Sequence, residues 1–229
     1  KINLYLLYIS EQSFQNAIDI IELILKKNKN NNTVLLDKAY ALLKLNQLNN
    51  CLKICNYVIS QDKNNNDAIK LIGQCFLEQK EYKLAEEKLL HCFSFDKKNI
   101  PILNLLGRLY FELWKLDKSE HFYLSALSYN KRSYQTLNNI AGFYLETNNS
   151  DKALIYYHKA LIANPNEPNI LNNLAKTYLS LNNLKEAEKY CLLALKIKNE
   201  NSFKKILSII YFRNQNFKKA WLYFDGRLD

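Results

Sequence analysis

YQTLNNIAGFYLETNNSDKALIYYHKALIANPNE (Tyr134–Glu167) runs directly into PNILNNLAKTYLSLNNLKEAEKYCLLALKIKNE (Pro168–Glu200), and the second stretch copies the first. In the first, Ile140-Ala141 precedes Tyr144, Ala153, Tyr157 and Ala160. At an offset of 34 residues, Leu174-Ala175 precedes Tyr178, Ala187, Cys191 and Ala194. Within each half of a copy the apolar residues lie three and four apart, which places them on one face of a helix. Asn148-Asn149-Ser150-Asp151 and Asn182-Asn183 divide each copy in two, as a tight turn between helices does.

The register continues in both directions. Upstream stand Leu106-Gly107, Tyr110, Ser119, Tyr123 and Ala126, then Ile72-Gly73, Phe76, Ala85, Leu89 and Cys92. A weaker copy has Lys38-Ala39, Leu42, Cys51, Cys55 and Val58, and the chain opens with Tyr8, Ala17, Ile21 and Ile24. Downstream, Leu207-Ser208, Tyr211, Ala220 and Phe224 follow a one-residue deletion near Lys198–Asn201. The expected repeats are 1–31, 32–65, 66–99, 100–133, 134–167, 168–200 and 201–229, forming one domain of about fourteen helices. Asn99-Ile100-Pro101 and Asn166-Glu167-Pro168 read as a capping asparagine with proline in the first turn. Gly107, Ala141 and Ala175 allow the two helices of a repeat to approach, and Ala126, Ala160 and Ala194 do so where a second helix meets the next repeat.

A 34-residue helix–turn–helix unit with small residues at these positions resembles the tetratricopeptide (TPR) repeat, and the resemblance covers essentially the whole chain. It implies an all-α, right-handed superhelix (an α-solenoid) that works as a protein-interaction scaffold. The first helix of each repeat would line a concave groove, and the second would face the convex side.

Composition fits. Of 229 residues, 4 are glycine and 3 proline, which argues for helices with short turns and against sandwiches and barrels. No apolar run reaches the ~18–20 residues needed to span a bilayer, and no signal peptide is evident. The chain starts at Lys1 and has no methionine, so it reads as part of a longer one. Five cysteines lack metal or redox spacing: Cys51 and Cys55 share a helix face, Cys92 and Cys191 fall on buried stripes, and Cys75 stands alone. Core packing in a reducing, cytoplasmic setting is the expectation.

The formal charge is +10, spread through the repeats, with the last repeat supplying six basic and two acidic residues. Such a field favours an acidic partner without defining a nucleic-acid site. RNA binding is further disfavoured, because no base-reading pair recurs in each unit. Catalysis has little support: His91, His121 and His158 lie on three different second helices, and no nucleophile elbow, metal motif or phosphate loop occurs. No cofactor, metal or membrane partner is expected. Glu86-Glu87 and Glu186/Glu188 read as solvated helix charges.

The groove-lining positions carry the specific expectation. Asn104, Asn138 and Asn172 recur at 34-residue intervals, with Arg108, Gly142 and Lys176 one turn later and Asn139 and Asn173 beside them. Mid-helix asparagine costs up to ~0.7 kcal/mol against alanine, while its amide matches the C=O and N–H of an extended backbone. Asn-Asn-Leu-Ala at Asn172–Ala175 is similar to the asparagine ladder of the O-linked N-acetylglucosamine transferases. Lys70, Asn104, Arg108, Asn138, Asn139, Asn172, Asn173 and Lys176 are therefore the candidate peptide-binding residues, for an extended, net-acidic segment. The chaperone-tail clamp of some TPR proteins does not fit: the frame offers Lys70 and Gln74, then Leu105, then Gln135 and Asn139, and Leu105 and Gln135 break the pattern. At the far end, Trp221-x-x-Phe224-Asp225-x-Arg227 resembles the W-x-x-Y-E-x-R close of bacterial TPR arrays that precede glycosyltransferase domains. That likeness implies a second role, a substrate-presenting arm with a downstream domain of the same chain as partner. Arg227 would also block a further repeat from stacking.

Overall fold

The computed structural model describes residues 2–27 and 30–224. It contains fourteen α-helices and no strand among the described residues. The chain divides into two compact units, residues 1–119 and 120–229. The first unit holds α1 (Ile2–Ser10), α2 (Phe14–Leu25), α3 (Asn32–Lys44), α4 (Leu48–Gln61), α5 (Asn66–Glu78), α6 (Tyr82–Phe95) and α7 (Ile100–Glu112). Helix α8 (Leu116–Tyr129) begins in the first unit and ends in the second. The second continues with α9 (Tyr134–Glu146), α10 (Ser150–Ala163), α11 (Pro168–Ser180), α12 (Leu184–Ile197), α13 (Asn201–Arg213) and α14 (Phe217–Phe224).

Helix starts are set by side chains that accept a first-turn N–H. Asn31, Asn65, Asn99 and Ser133 accept from Val34, Ala68, Ile102 and Thr136, each cap contributing about 0.5–2 kcal/mol. At α11 the cap is not the expected Asn166. Glu167 takes it instead, accepting from the Asn169 N–H, because it stands one residue before Pro168, as Ser133 stands before Tyr134.

First helices end in a common turn. Gln12, Asn46, Lys80, Trp114, Asn148, Asn182 and Gln215 all have φ between 56° and 62°. Each follows the pattern in which two backbone N–H groups turn back onto the helix's last carbonyls. Asn148 donates to the Leu145 carbonyl and Asn149 to the Tyr144 carbonyl, at 3.1 and 2.8 Å. The carbonyl of Tyr8, Leu42, Phe76, Tyr110, Tyr144, Tyr178 or Tyr211 closes every such turn, at 2.8 to 2.9 Å. None of the seven left-handed residues is glycine, so each turn carries backbone strain that hydrogen bonding offsets.

In the first unit α1 packs on α2, α3 on α4 and α5 on α6, while the first helices α3, α5 and α7 touch in succession. In the second, α9 packs on α10, α11 on α12 and α13 on α14, and α11 touches α13. The small residues lie at these contacts: Ala141, Ala160, Ala175 and Ala194 are fully buried. A Cβ on Gly73 would meet the Leu89 side chain at 3.0 Å, so Leu89 would have to shift by a few tenths of an ångström to admit it. Cys75 does not stand alone. It joins Cys51 and Cys55 in one apolar core cluster of the first unit, all three fully buried. Hydrogen bonding to Cys51 and burial push the Cys55 and Cys75 thiols up, and burial raises Cys191 to about 12. At neutral pH these three remain protonated core residues.

Candidate functional site

The first-helix face of the second unit carries four of the candidate asparagines. Asn138 and Asn139 lie on α9, Asn172 and Asn173 on α11, and all four are half-buried. Two of them pair: Asn173 Nδ2 donates to Asn138 Oδ1 at 3.0 Å, tying α11 to α9. That bond uses one group of each amide and leaves the Asn138 N–H₂ as donor and the Asn173 carbonyl as acceptor. Asn172 Oδ1 is buried and has no hydrogen-bond partner among the described residues. Lys176 is exposed one turn beyond it. On α9, a Cβ added to Gly142 would sit 3.8 Å from the hydroxyl of the buried Tyr157 on α10, so that position faces the partner helix. Arg213 on α13 donates to the Leu179 carbonyl at 2.9 Å, binding the end of α11.

In the first unit, Lys70 lies on α5, with Asn104 and Arg108 on α7. Lys70 Nζ contacts Asp67 at 2.6 Å, three residues back on the same helix. Arg108 grips Glu78 of α5 through both terminal nitrogens, at 2.7 and 3.0 Å. The bond from Arg108 holds the Glu78 carboxyl below its ordinary range. Two of the three cations expected to serve an acidic ligand are thus engaged by carboxylates of the chain. The partner of Arg108 was hidden in sequence, because Glu78 is thirty residues away; that of Lys70 stands at the ordinary i,i+3 spacing of a helix pair.

A second recurring arrangement was not foreseen. Tyr110 donates its hydroxyl to Glu86 at 2.8 Å, Tyr144 to Glu120 at 2.5 Å and Tyr211 to Glu188 at 2.6 Å. Each bond latches a first helix to the second helix before it. Glu86 and Glu188, expected as solvated charges, are half-buried acceptors instead. The one signal in sequence was their separation from the tyrosines, 24 residues, or 23 across the deletion. The rings are covered from outside: Tyr156 stacks on Tyr144 and Tyr223 on Tyr211, both at 5.5 Å. Lys118, Lys152 and Lys219 lie over the rings of Tyr110, Tyr144 and Tyr211 at 5.2, 4.8 and 5.1 Å. Burial, then the carboxylate bond, pushes Tyr110 up to about 12 and raises Tyr144 and Tyr211 as well.

One step differs. Leu154 stands where a glutamate would, and the Tyr178 hydroxyl meets His158 Nε2 at 3.0 Å instead. Burial lowers the His158 pKa, with Lys189 adding to the shift. The histidines lie on separate helices, α6, α8 and α10. His91 and His121 contact Phe95 and Phe122. No group of three or more potential metal ligands occurs among the described residues.

At the far end, Trp221 packs edge-on to Phe212 and Phe224 at 5.4 and 5.5 Å. Phe217, Trp221 and Phe224 remain more than half exposed. Asp225 and Arg227 of the closing motif, with the Arg227 block on further stacking, lie outside the described residues.

A helix pair recurring at 34 residues, with first helices touching in succession and small residues at the crossings, defines an α-helical repeat scaffold. Residues 144–210 match the family model of the tetratricopeptide repeat, and residues 10–92 match that of anaphase-promoting complex, cyclosome, subunit 3. Over residues 144–210 the chain thus carries tetratricopeptide repeats. No curated protein matches it at a significant level. Among solved structures it resembles pilF of Pseudomonas aeruginosa, with 17% identity, 84% of this chain and 88% of that one covered, and a TM-score of 0.67. A thermophilic TPR protein of Thermus thermophilus gives 20% identity, coverages of 77% and 96%, and a TM-score of 0.72. The APC/C hetero-tetramer Cut9-Hcn1 gives 13% identity and a TM-score of 0.75, with 91% of this chain covering 42% of that one. At these identities the likeness is one of fold. Repeats of this class are in general non-enzymatic scaffolds for other proteins.

Proposed function

We propose that the chain is a scaffold that binds an extended peptide segment along its first helices, with Asn138, Asn139, Asn172, Asn173 and Lys176 as the contact set in the second unit. The observation that supports this is the half-buried amide pair of Asn138 and Asn173, whose single bond leaves one donor and one acceptor on the first-helix face beside Asn172. Asn138 and Asn173 then offer a donor and an acceptor to the same backbone. Acidity of the segment follows from Lys176 and the overall charge of +10; Lys70 and Arg108 contribute less, being paired. Asn104 belongs to the corresponding face of the first unit. We extend the proposal to the cytoplasm, a setting that five free thiols suit.

The test is a displayed peptide library selected on the protein, followed by calorimetry of the best ligand. Asn138→Ala with Asn172→Ala should weaken it about tenfold or more, since each amide contact contributes about 0.5–1.5 kcal/mol. The exposed loop change Asn166→Ala should have no effect. Full affinity in the double variant rejects the assignment. A second reading, a substrate-presenting arm for a glycosyltransferase domain, draws on the exposed Trp221 and Phe224. It expects the backbone amides of Phe217–Phe224 to exchange faster in this chain than those of the central helices; protection equal to the central helices rejects it.

A further inference from the structure

A cavity of about 370 Å³ opens between α2, α3 and α4 of the first unit. Its floor is apolar, made by Ile18, Leu42 and Ile54. Its rim carries Lys38, Lys53 and Glu22 with the amides of Gln15, Gln47 and Asn50. The position of this cavity in the repeat explains its existence. Leu42 stands in the register of Phe76, Tyr110, Tyr144, Tyr178 and Tyr211. Ile18 stands in the register of the latch carboxylates Glu86, Glu120 and Glu188, and Ile54 in that of the stacking rings Tyr156, Tyr190 and Tyr223. The cavity therefore lies where later repeats hold a tyrosine ring, its carboxylate and its stacking partner. Three aliphatic side chains fill that space incompletely and leave it open.

The rim determines what accompanies the ring. Lys38 Nζ is tied to Glu22 at 2.7 Å, so two cations and one carboxylate leave a net positive charge. Lys53 is exposed at the mouth. Asn50 stands where Lys118, Lys152 and Lys219 cover their rings, and Lys53 is placed one turn further along α4. An incoming ring would lie on apolar side chains, and an anionic neighbour of that ring would meet the Lys53 ammonium at the mouth.

We propose that this cavity binds an aromatic side chain flanked by carboxylates on a partner polypeptide, the ring taking the place that tyrosine fills in other repeats. The site is separate from the first-helix face and stands or falls independently of the peptide groove.

The probe is a fluorescein-labelled hexapeptide with one tyrosine between glutamates, titrated by fluorescence polarisation to millimolar protein. Controls replace the tyrosine with alanine, or the glutamates with lysines. Wild-type protein should bind the parent probe saturably, and each control about tenfold or more weakly, as for loss of one well-formed contact. The variant Ile18→Glu with Leu42→Tyr builds the latch internally; it should raise the melting temperature and abolish binding. Lys53→Glu, a surface change, should weaken binding about tenfold and leave the melting temperature unchanged. Should the filled variant fail to fold, Leu42→Phe replaces it, with the same expected loss. Asn138→Ala with Asn172→Ala should leave this probe's affinity unchanged, which separates the two sites. N-acetyltyrosine should compete only weakly, lacking the flanking carboxylates; competition equal to the peptide's overturns a polypeptide as the source. Equal binding of the alanine control, undiminished binding by the filled variant, or no binding of the parent probe overturns the proposal.

Discussion

Replacing Tyr144 by phenylalanine removes one hydroxyl and nothing else from a well-defined contact. That hydroxyl donates to the Glu120 carboxylate at 2.5 Å, while the ring, 7% exposed, keeps its stack on Tyr156 and the Lys152 ammonium. A hydrogen bond to a charged group contributes about 1.5–3 kcal/mol. Glu120 is only half-buried, so water recovers part of the loss when the hydroxyl is gone, which places the expected cost at about 1–2 kcal/mol. Glu120→Ala removes the acceptor, and the double variant completes a thermodynamic cycle whose coupling should equal most of the Tyr144→Phe cost. Both residues belong to the second unit, so the readout is urea unfolding of the whole chain together with amide exchange in α8 and α9. Exchange matters because repeat arrays open locally and a single midpoint averages over them. Tyr156→Phe, which leaves the latch bond in place, is the control and should cost under about 0.5 kcal/mol. Additive single effects, with no coupling between Tyr144 and Glu120, would refute the latch as a source of stability.

Three further changes test other parts of the fold. Lys80→Gly relieves a residue held at φ 62°; it should stabilise by about 0.5–1 kcal/mol in denaturant unfolding, the left-handed strain outweighing glycine's entropy. Ala160, fully buried where α10 meets α11, should not accept leucine: overpacking should cost about 1–3 kcal/mol and lower the denaturant midpoint. His158 has a folded-state pKa depressed by burial, so the unfolded chain binds its proton first; stability should be level above the ordinary histidine pKa of about 6.5 and fall as pH drops below it, and His158→Gln should flatten that fall in pH-dependent melts.

Much of this fold was legible, because a helix writes its buried face at spacings of three and four and a 34-residue recurrence repeats the message. Ala141, Ala160, Ala175 and Ala194 fall where the phase places them, and the asparagine turns at Asn148 and Asn182 do also. Contacts between repeats were less legible, since the partners are two dozen or more residues apart and depend on how helices cross. Glu86 and Glu188 look like surface charges within their own helix and become latch acceptors only against the next repeat. Arg108 looks like a groove cation until Glu78 is brought beside it. Cys75 shares no helix with Cys51 and Cys55, so periodicity within an element could not join them. The asparagines fall between these cases: their register was visible, but the bond between Asn138 and Asn173 depends on a one-residue stagger between neighbouring helices.

The residue that latches one repeat to the one before it also closes, through its carbonyl, the turn of its own repeat. Tyr144 bonds Glu120 through its hydroxyl and the Asn149 N–H through its main chain. Chain length between those two bonds is therefore fixed by geometry, whereas the loop joining repeats is not. The deletion near Lys198–Asn201 illustrates this, since it shortens that loop by one residue and Tyr211 still reaches Glu188 at 2.6 Å. The natural seam for duplication or transplantation thus runs through the loops after the second helices. A module cut at Lys198 carries its tyrosine, its turn and its glutamate together and can be respliced in tandem, whereas an insertion at Asn148 would break the closing bonds of the α9 turn.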